Sequence, residues 1–130
     1  MACVALDADL LIAFLDPADA QHARAVNELR PRVAAGDELL IGATVYAEVI
    51  VRPLQDGTEA TVDGFLDAAG VRLVPVDRTV ARTAARLRAD HPSVRLPDAL
   101  SLATALVSDA TLLTLDKKLQ RTIKRGQRRE

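Results

Sequence analysis

The chain has 130 residues, 49% of them hydrophobic, with 17 basic against 18 acidic residues and a formal charge of −1. That length suits one domain with one core, and the charge balance excludes a basic field over the whole protein. Cys3 is the sole cysteine, which excludes an internal disulfide and any multi-cysteine zinc cluster.

No run approaches the roughly 18 apolar residues that a membrane span needs. Asp7 and Asp9 interrupt the first apolar stretch, and no basic segment precedes it, so it does not read as a signal peptide. The expectation is a soluble, cytoplasmic domain with no membrane association. Phe14, Tyr46 and Phe65 are the only aromatics, so the core must come from Ala, Val, Leu and Ile.

Cys3-Val4-Ala5-Leu6 is a short apolar run, long enough for a buried strand that Asp7 ends. Leu10, Leu11, Phe14 and Leu15 then recur at helical spacing. Asp16-Pro17 reads as an N-cap and first helical position for a longer helix, striped by Ala20, Ala23, Val26, Leu29 and Val33 and stopping near Gly36. Leu39-Leu40-Ile41 is a second buried strand. Thr44 is positioned to cap a third helix that ends near Arg52-Pro53, because the residue before proline resists helical geometry. Asp56-Gly57 is a turn, and a helix from about Thr58 to Ala69 ends at Gly70. Val71 to Val76 reads as a third strand. Asp77 caps a helix to about Ala89, and Leu96-Pro97-Asp98 opens an apolar helix to about Ser108. Thr111 to Leu115 is a fourth strand, followed by Asp116 and a basic, weakly helical tail. Apolar strands alternating with helices predict an α/β fold, a three-layer α/β/α sandwich around a mainly parallel sheet of four to five strands.

In open parallel sheets, ligands bind beyond the carboxyl ends of the strands. Asp7 follows the first strand and Asp116 the fourth. Glu48 lies about one turn into the helix after the second strand, and Asp98 in the first turn of its helix. All four can face one edge of the sheet. Each also has an ordinary use: Asp7 and Asp116 as caps, Asp98 as a complement to the helix dipole, and Glu48 on an exposed polar face. Converging together, four carboxylates repel unless cations or raised pKa values hold them. Such hard oxygen ligands suit Mg²⁺ or Mn²⁺, and no His or Cys accompanies them to suggest zinc. His22 and His91 read as surface residues. With no nucleophile motif and no glycine-rich phosphate loop, metal-assisted hydrolysis by water is the chemistry that fits.

These residues, in this order and spacing, resemble the PIN domain, and within it the VapC toxins of bacterial toxin–antitoxin pairs. Leu6-Asp7-Ala8-Asp9-Leu10-Leu11-Ile12 is similar to the first motif of that family, and Thr44-Val45-Tyr46-Ala47-Glu48-Val49 to the second. Leu96-Pro97-Asp98-Ala99-Leu100-Ser101-Leu102-Ala103-Thr104-Ala105 is similar to the third, and Thr111-Leu112-Leu113-Thr114-Leu115-Asp116 to the fourth. The resemblance implies one PIN domain over residues 1–130 that cleaves structured RNA endonucleolytically with Mg²⁺. It implies catalytic acids at Asp7, Glu48, Asp98 and Asp116, with Asp7 and Asp98 as principal metal ligands and Thr114 in support. Glu48 would hold a second ion or deprotonate the attacking water. A homodimer and a silencing antitoxin are implied as partners.

Two departures stand out. The family usually has a neutral polar residue where this chain has Asp9; an additional acid there either reshapes the metal site or acts as a helix cap, and the cap is the expectation here. Its last short strand has no clear counterpart in the basic tail at about 117–130, which holds seven of the 17 basic residues. That tail reads either as a solvated run or as a phosphate contact beside the acids. With so few aromatics, RNA recognition must rest on shape and phosphate position. Asp7-Ala8-Asp9 also resembles the D-x-D of haloacid dehalogenase phosphohydrolases, although Leu11 stands where Thr or Val is usual. A receiver-like domain, or a scaffold that binds RNA without cutting it, are the non-enzymatic alternatives.

Overall fold

The computed structural model describes residues 2–121. Strand β1 (Cys3–Leu6) lies between β2 (Glu38–Gly42) and β4 (Thr111–Leu113), with β3 (Arg72–Val74) beyond β2. All three pairings are parallel, setting Val4 opposite Leu39, Ala5 opposite Leu112 and Ile41 opposite Leu73. The sequence assigns the places: the two richest apolar runs fill the sheet centre, where both faces are covered.

Alternation along β1 sorts the helices into two layers. Val4 and Leu6 point into a core shared with α1 (Ala8–Leu15), α2 (His22–Ala34), α3 (Ala43–Val49) and α5 (Glu59–Ala68). Ala5 points the other way, into a cluster with Leu40, Val74 and Ala105 of α7 (Leu96–Val107). Helix α6 (Arg78–Asp90) packs on α7 through Val80, Ala84, Ala99 and Ala103. The fold is therefore the expected three-layer α/β/α sandwich, with four strands among the described residues.

Several local expectations are corrected. Asp16 does not cap α2: its Oδ1 accepts the Ala18 N–H at 3.0 Å, and Asp19 accepts the Gln21 N–H at 2.8 Å. These side-chain turns compete with helix, so α2 begins only at His22. Thr44 lies inside α3, whose N-cap is Gly42. Pro53 does not close that helix either. Lacking an N–H for the Val49 carbonyl, it breaks the ladder, and a short helix α4 (Val51–Asp56) continues, with Pro53 tolerated in its first turn. Strands β3 and β4 are three residues each, shorter than their apolar runs. His22 is half-buried, its Nδ1 bonded to the Ala13 carbonyl at 2.8 Å, so it ties α2 to α1. A last helical turn covers 117–121; the rest of the basic tail lies outside the described residues.

Candidate active site

Parallel pairing of β1 with β4 carries both strand ends to the same edge, where the Asp7 N–H donates to the Leu113 carbonyl at 3.0 Å. Asp7 is the N-cap of α1. It is buried, and its Oδ1 accepts the Ala8 N–H at 3.0 Å. Its Oδ2 accepts the hydroxyl of buried Thr114 at 2.8 Å. That hydroxyl in turn accepts the Asp116 N–H at 3.1 Å, so its single proton is committed to Asp7. Asp116 Oδ1 caps the 117–121 turn through the N–H groups of Lys118 and Leu119, at 2.8 and 3.2 Å. Gln120 Nε2 fastens the same loop to the Thr114 carbonyl at 2.8 Å.

Asp98 sits in the first turn of α7, 3.7 Å from the Arg95 guanidinium. Glu48 lies near the end of α3 on its exposed side, so the polar-face alternative describes its exposure. Gly42 sets α3 and α7 side by side: a Cβ there would stand 3.0 Å from Thr104 Oγ1.

Electrostatics tie the acids into one group, with Asp7 as the shared neighbour. Desolvation, then the Asp7 charge, raises the carboxyl pKa of Asp9, Glu48 and Asp98 above the usual value. Asp98 also repels Glu48, and Asp116 repels Asp98, while the Arg95 cation pulls Glu48 and Asp98 back down. All four acids singled out from the sequence thus stand at one sheet edge. The structure adds two residues. Asp9 is in the first turn of α1, where its Oδ1 accepts the Leu10 N–H at 2.6 Å, while Asp7 holds the N-cap position itself. The Asp9 carboxylate reaches toward Thr114 Oγ1 at 3.3 Å and the Leu115 N–H at 3.4 Å, joining α1 to the β4 loop. Arg95, just before α7, is a cation in contact with these acids. Nothing local in the sequence marks either role.

The sequence matches the PIN domain family over residues 4–124. The chain belongs to that family.

Solved structures share the PIN fold at low identity. A chain of a toxin–antitoxin complex from Klebsiella pneumoniae is 23% identical, with a TM-score of 0.71 and 88% of each chain covered. The Mycobacterium tuberculosis toxin VapC20, described as cleaving the sarcin–ricin loop, is 16% identical with a TM-score of 0.71, covering 91% of this chain and 93% of that one. A chain of Rickettsia felis VapBC2, bound to a DNA fragment from its promoter, is 16% identical with a TM-score of 0.73 and 92% of each covered. No curated protein sequence matches the chain. Membership of the PIN family removes the ground for the haloacid dehalogenase and receiver readings.

The donor set of this PIN domain suits a hard divalent cation. Among the described residues, no three carboxylates, imidazoles or thiols stand close enough to form a ready cage for an ion. Mg²⁺ does not ask for one, since it keeps several waters and is commonly held by one or two carboxylates plus substrate phosphates. Burial first, and then the charge of Asp7, raises the pKa values of Asp9, Glu48 and Asp98, and such a cation would relieve the repulsive part. Among the described residues, no helix is long and apolar enough to cross a membrane.

Proposed function

We propose that this PIN domain is a Mg²⁺-dependent endoribonuclease, with Mn²⁺ as a possible substitute, and the toxin half of a toxin–antitoxin pair. The whole chain would act in the cytoplasm as one such domain, cutting structured RNA as a homodimer. The observation that carries the reading is Asp7: a buried carboxylate with one protein donor on each oxygen, around which Asp9, Glu48 and Asp98 are held at elevated proton affinity.

In this reading Asp7 and Asp98 are the principal metal ligands and Asp116 completes the site directly or through water. A divalent cation supplies neutralising charge at the phosphate and makes water more acidic. Thr114 fixes the direction of the Asp7 lone pairs. Glu48, accessible and with raised basicity, takes the proton of the attacking water or holds a second ion.

An antitoxin partner is supported by a groove of about 590 Å³ beside Glu48. Ile12, Leu15, Val49, Val62 and Phe65 give it apolar lining, and Asp16, Asp19 and Glu48 add negative charge, with Asp56 paired to Arg52 in the same groove. A segment with apolar anchors and basic side chains would complement it.

The test incubates purified protein, freed of any antitoxin, with total bacterial RNA in Mg²⁺, in EDTA, and as Asp7→Asn in Mg²⁺. Discrete fragments in the first condition alone are the expected result, and sequencing their ends names the target. Cleavage that survives EDTA or the substitution overturns the mechanism. Absence of cleavage throughout favours an RNA-binding scaffold. Sedimentation of the same preparation tests the homodimer.

A further inference from the structure

The near-zero net charge conceals a division between the two halves of the molecule. Residues 2–77, which build α1 to α5, hold 13 carboxylates and five cations, a net of −8. Three of those cations are tied up locally, in the pairs Arg32–Asp37, Arg52–Asp56 and Arg72–Glu38. Residues 78–121, which build α6, α7, β4 and the final turn, hold eight cations and four carboxylates, a net of +4. Within this basic half, Arg78 and Arg82 of α6 have no ion-pair partner among the described residues. The acids of the site lie on the seam between the halves.

On the basic side of that seam is a cleft of about 630 Å³ between the 93–98 and 116–121 segments. Arg95, Lys118 and Arg121 line it together with Asp98 and Asp116. We propose that this cleft receives the phosphate groups flanking the scissile bond, so that the RNA backbone lies along the α6–α7 side and avoids the acidic α1–α5 side. The proposal rests on the nuclease reading for the position of the scissile bond, and it adds where the substrate lies and which residues hold it.

A polyanion cannot settle against carboxylates alone; adjacent cations must offset the repulsion, and they do so most strongly within the roughly 8 Å Debye length of physiological salt. Arg95 is placed for this. Its guanidinium touches the Asp98 carboxylate at 3.7 Å, yet its side chain is 78% exposed, so its remaining N–H groups are open to a second anion. The planar fork of arginine suits phosphate oxygens bidentately. Arg121 is exposed at the opposite lip. Contacts of this kind position a backbone without reading bases, in keeping with a chain that has three aromatics to stack on them.

The test measures fluorescence anisotropy of a short labelled RNA hairpin across a salt series, in Mg²⁺, with every protein carrying Asp7→Asn so that binding is read without cleavage. One variant adds Arg95→Gln and Arg121→Gln; a control adds Arg24→Gln and Arg30→Gln on α2. The cleft variant should bind at least roughly tenfold more weakly, with its log–log salt slope shallower by about 2, while the α2 control matches the background protein. Unchanged binding in the cleft variant, or equal weakening in both variants, overturns the proposal. The two readings separate cleanly. Wild-type cleavage with unaltered cleft-variant binding leaves the nuclease and removes the cleft. Lost binding without wild-type cleavage leaves an RNA-binding cleft and removes the nuclease.

Discussion

Asp7 carries two structural duties that pull on its chemistry in one direction. The Ala8 N–H and the Thr114 hydroxyl each hold one oxygen, so the lone pairs left over have fixed directions. Thr114→Val keeps the side-chain shape but leaves a buried carboxylate oxygen without its donor. The expected effects are a loss of about 1–3 kcal/mol in urea unfolding and, under the proposed function, a rise in the Mg²⁺ concentration for half-maximal cleavage. Asp7→Asn behaves differently, because Asn caps helices as well as Asp and removes the charge shared by its neighbours. The pH dependence of this effect has a definite sign. Asp9, Glu48 and Asp98 have raised pKa values in the fold, so between the ordinary carboxylate range and those raised values the folded chain binds more protons than the unfolded one. Their cost to stability is full above that window and fades as pH falls through it. The metal-free Asp7→Asn protein should therefore gain melting temperature over wild type as pH rises through the window, and Mg²⁺ should narrow the gap by stabilising wild type. A gap that is constant with pH would show that these acids do not repel one another. The four candidate acids were legible because Asp7 and Asp116 follow strands, Asp98 opens a helix and Glu48 is an ion among apolar neighbours in the helix after the second strand. Asp9 was not, since the Thr114 hydroxyl and Leu115 N–H that it meets lie more than a hundred residues along the chain.

At the scale of elements, buried strands and long amphipathic helices were readable because the order and spacing of their apolar residues specify them. Two of the misread joints involve competition between local options: Asx turns against a helix start at Asp16, and a proline that ends one helix while sitting comfortably in the next. The close approach of β2 to α7 is a tertiary fact with only a glycine to mark it. Gly42→Ala places a methyl 3.0 Å from Thr104 Oγ1, a hydroxyl already committed to the Leu100 carbonyl at 2.7 Å. The expected cost is roughly 1–3 kcal/mol, with cleavage reduced further as α3 and its Glu48 move away from α7. Gly64→Ala is the contrast, since nothing lies within 4 Å of its added Cβ inside α5. That change should stabilise by about 0.5–1 kcal/mol through helix propensity. Thermal melts of the two variants check both signs. Tyr46, whose hydroxyl donates to Asp63 at 2.8 Å, and Phe14, stacked obliquely 5.3 Å from Phe65, hold α5 against α3 and α1.

Over the whole molecule, β1 is the keel. It is paired on both sides and buried on both faces, while β3 is a three-residue edge strand with exposed Leu73. Local stability should follow that order, with the amides of Val4, Ala5 and Leu6 exchanging most slowly with solvent and those of Leu73 and Val74 fastest among strand residues. Hydrogen exchange read by NMR decides this; equal protection across the sheet would mean that it opens as one unit. The layered architecture was legible in the alternation of strands and helices. The charge division is hidden in the totals, which cancel, and only the assignment of segments to layers gives it spatial meaning.

The central place of β1 also has a consequence in time. Asp7 and Thr114, bonded at 2.8 Å, are 107 residues apart, so a ribosome delivers the second roughly 5 to 20 s after the first. Until then the opening strand lacks its β4 neighbour and the pocket lacks one wall. A nascent chain of this kind carries an unfinished acidic site until its last strand has been made.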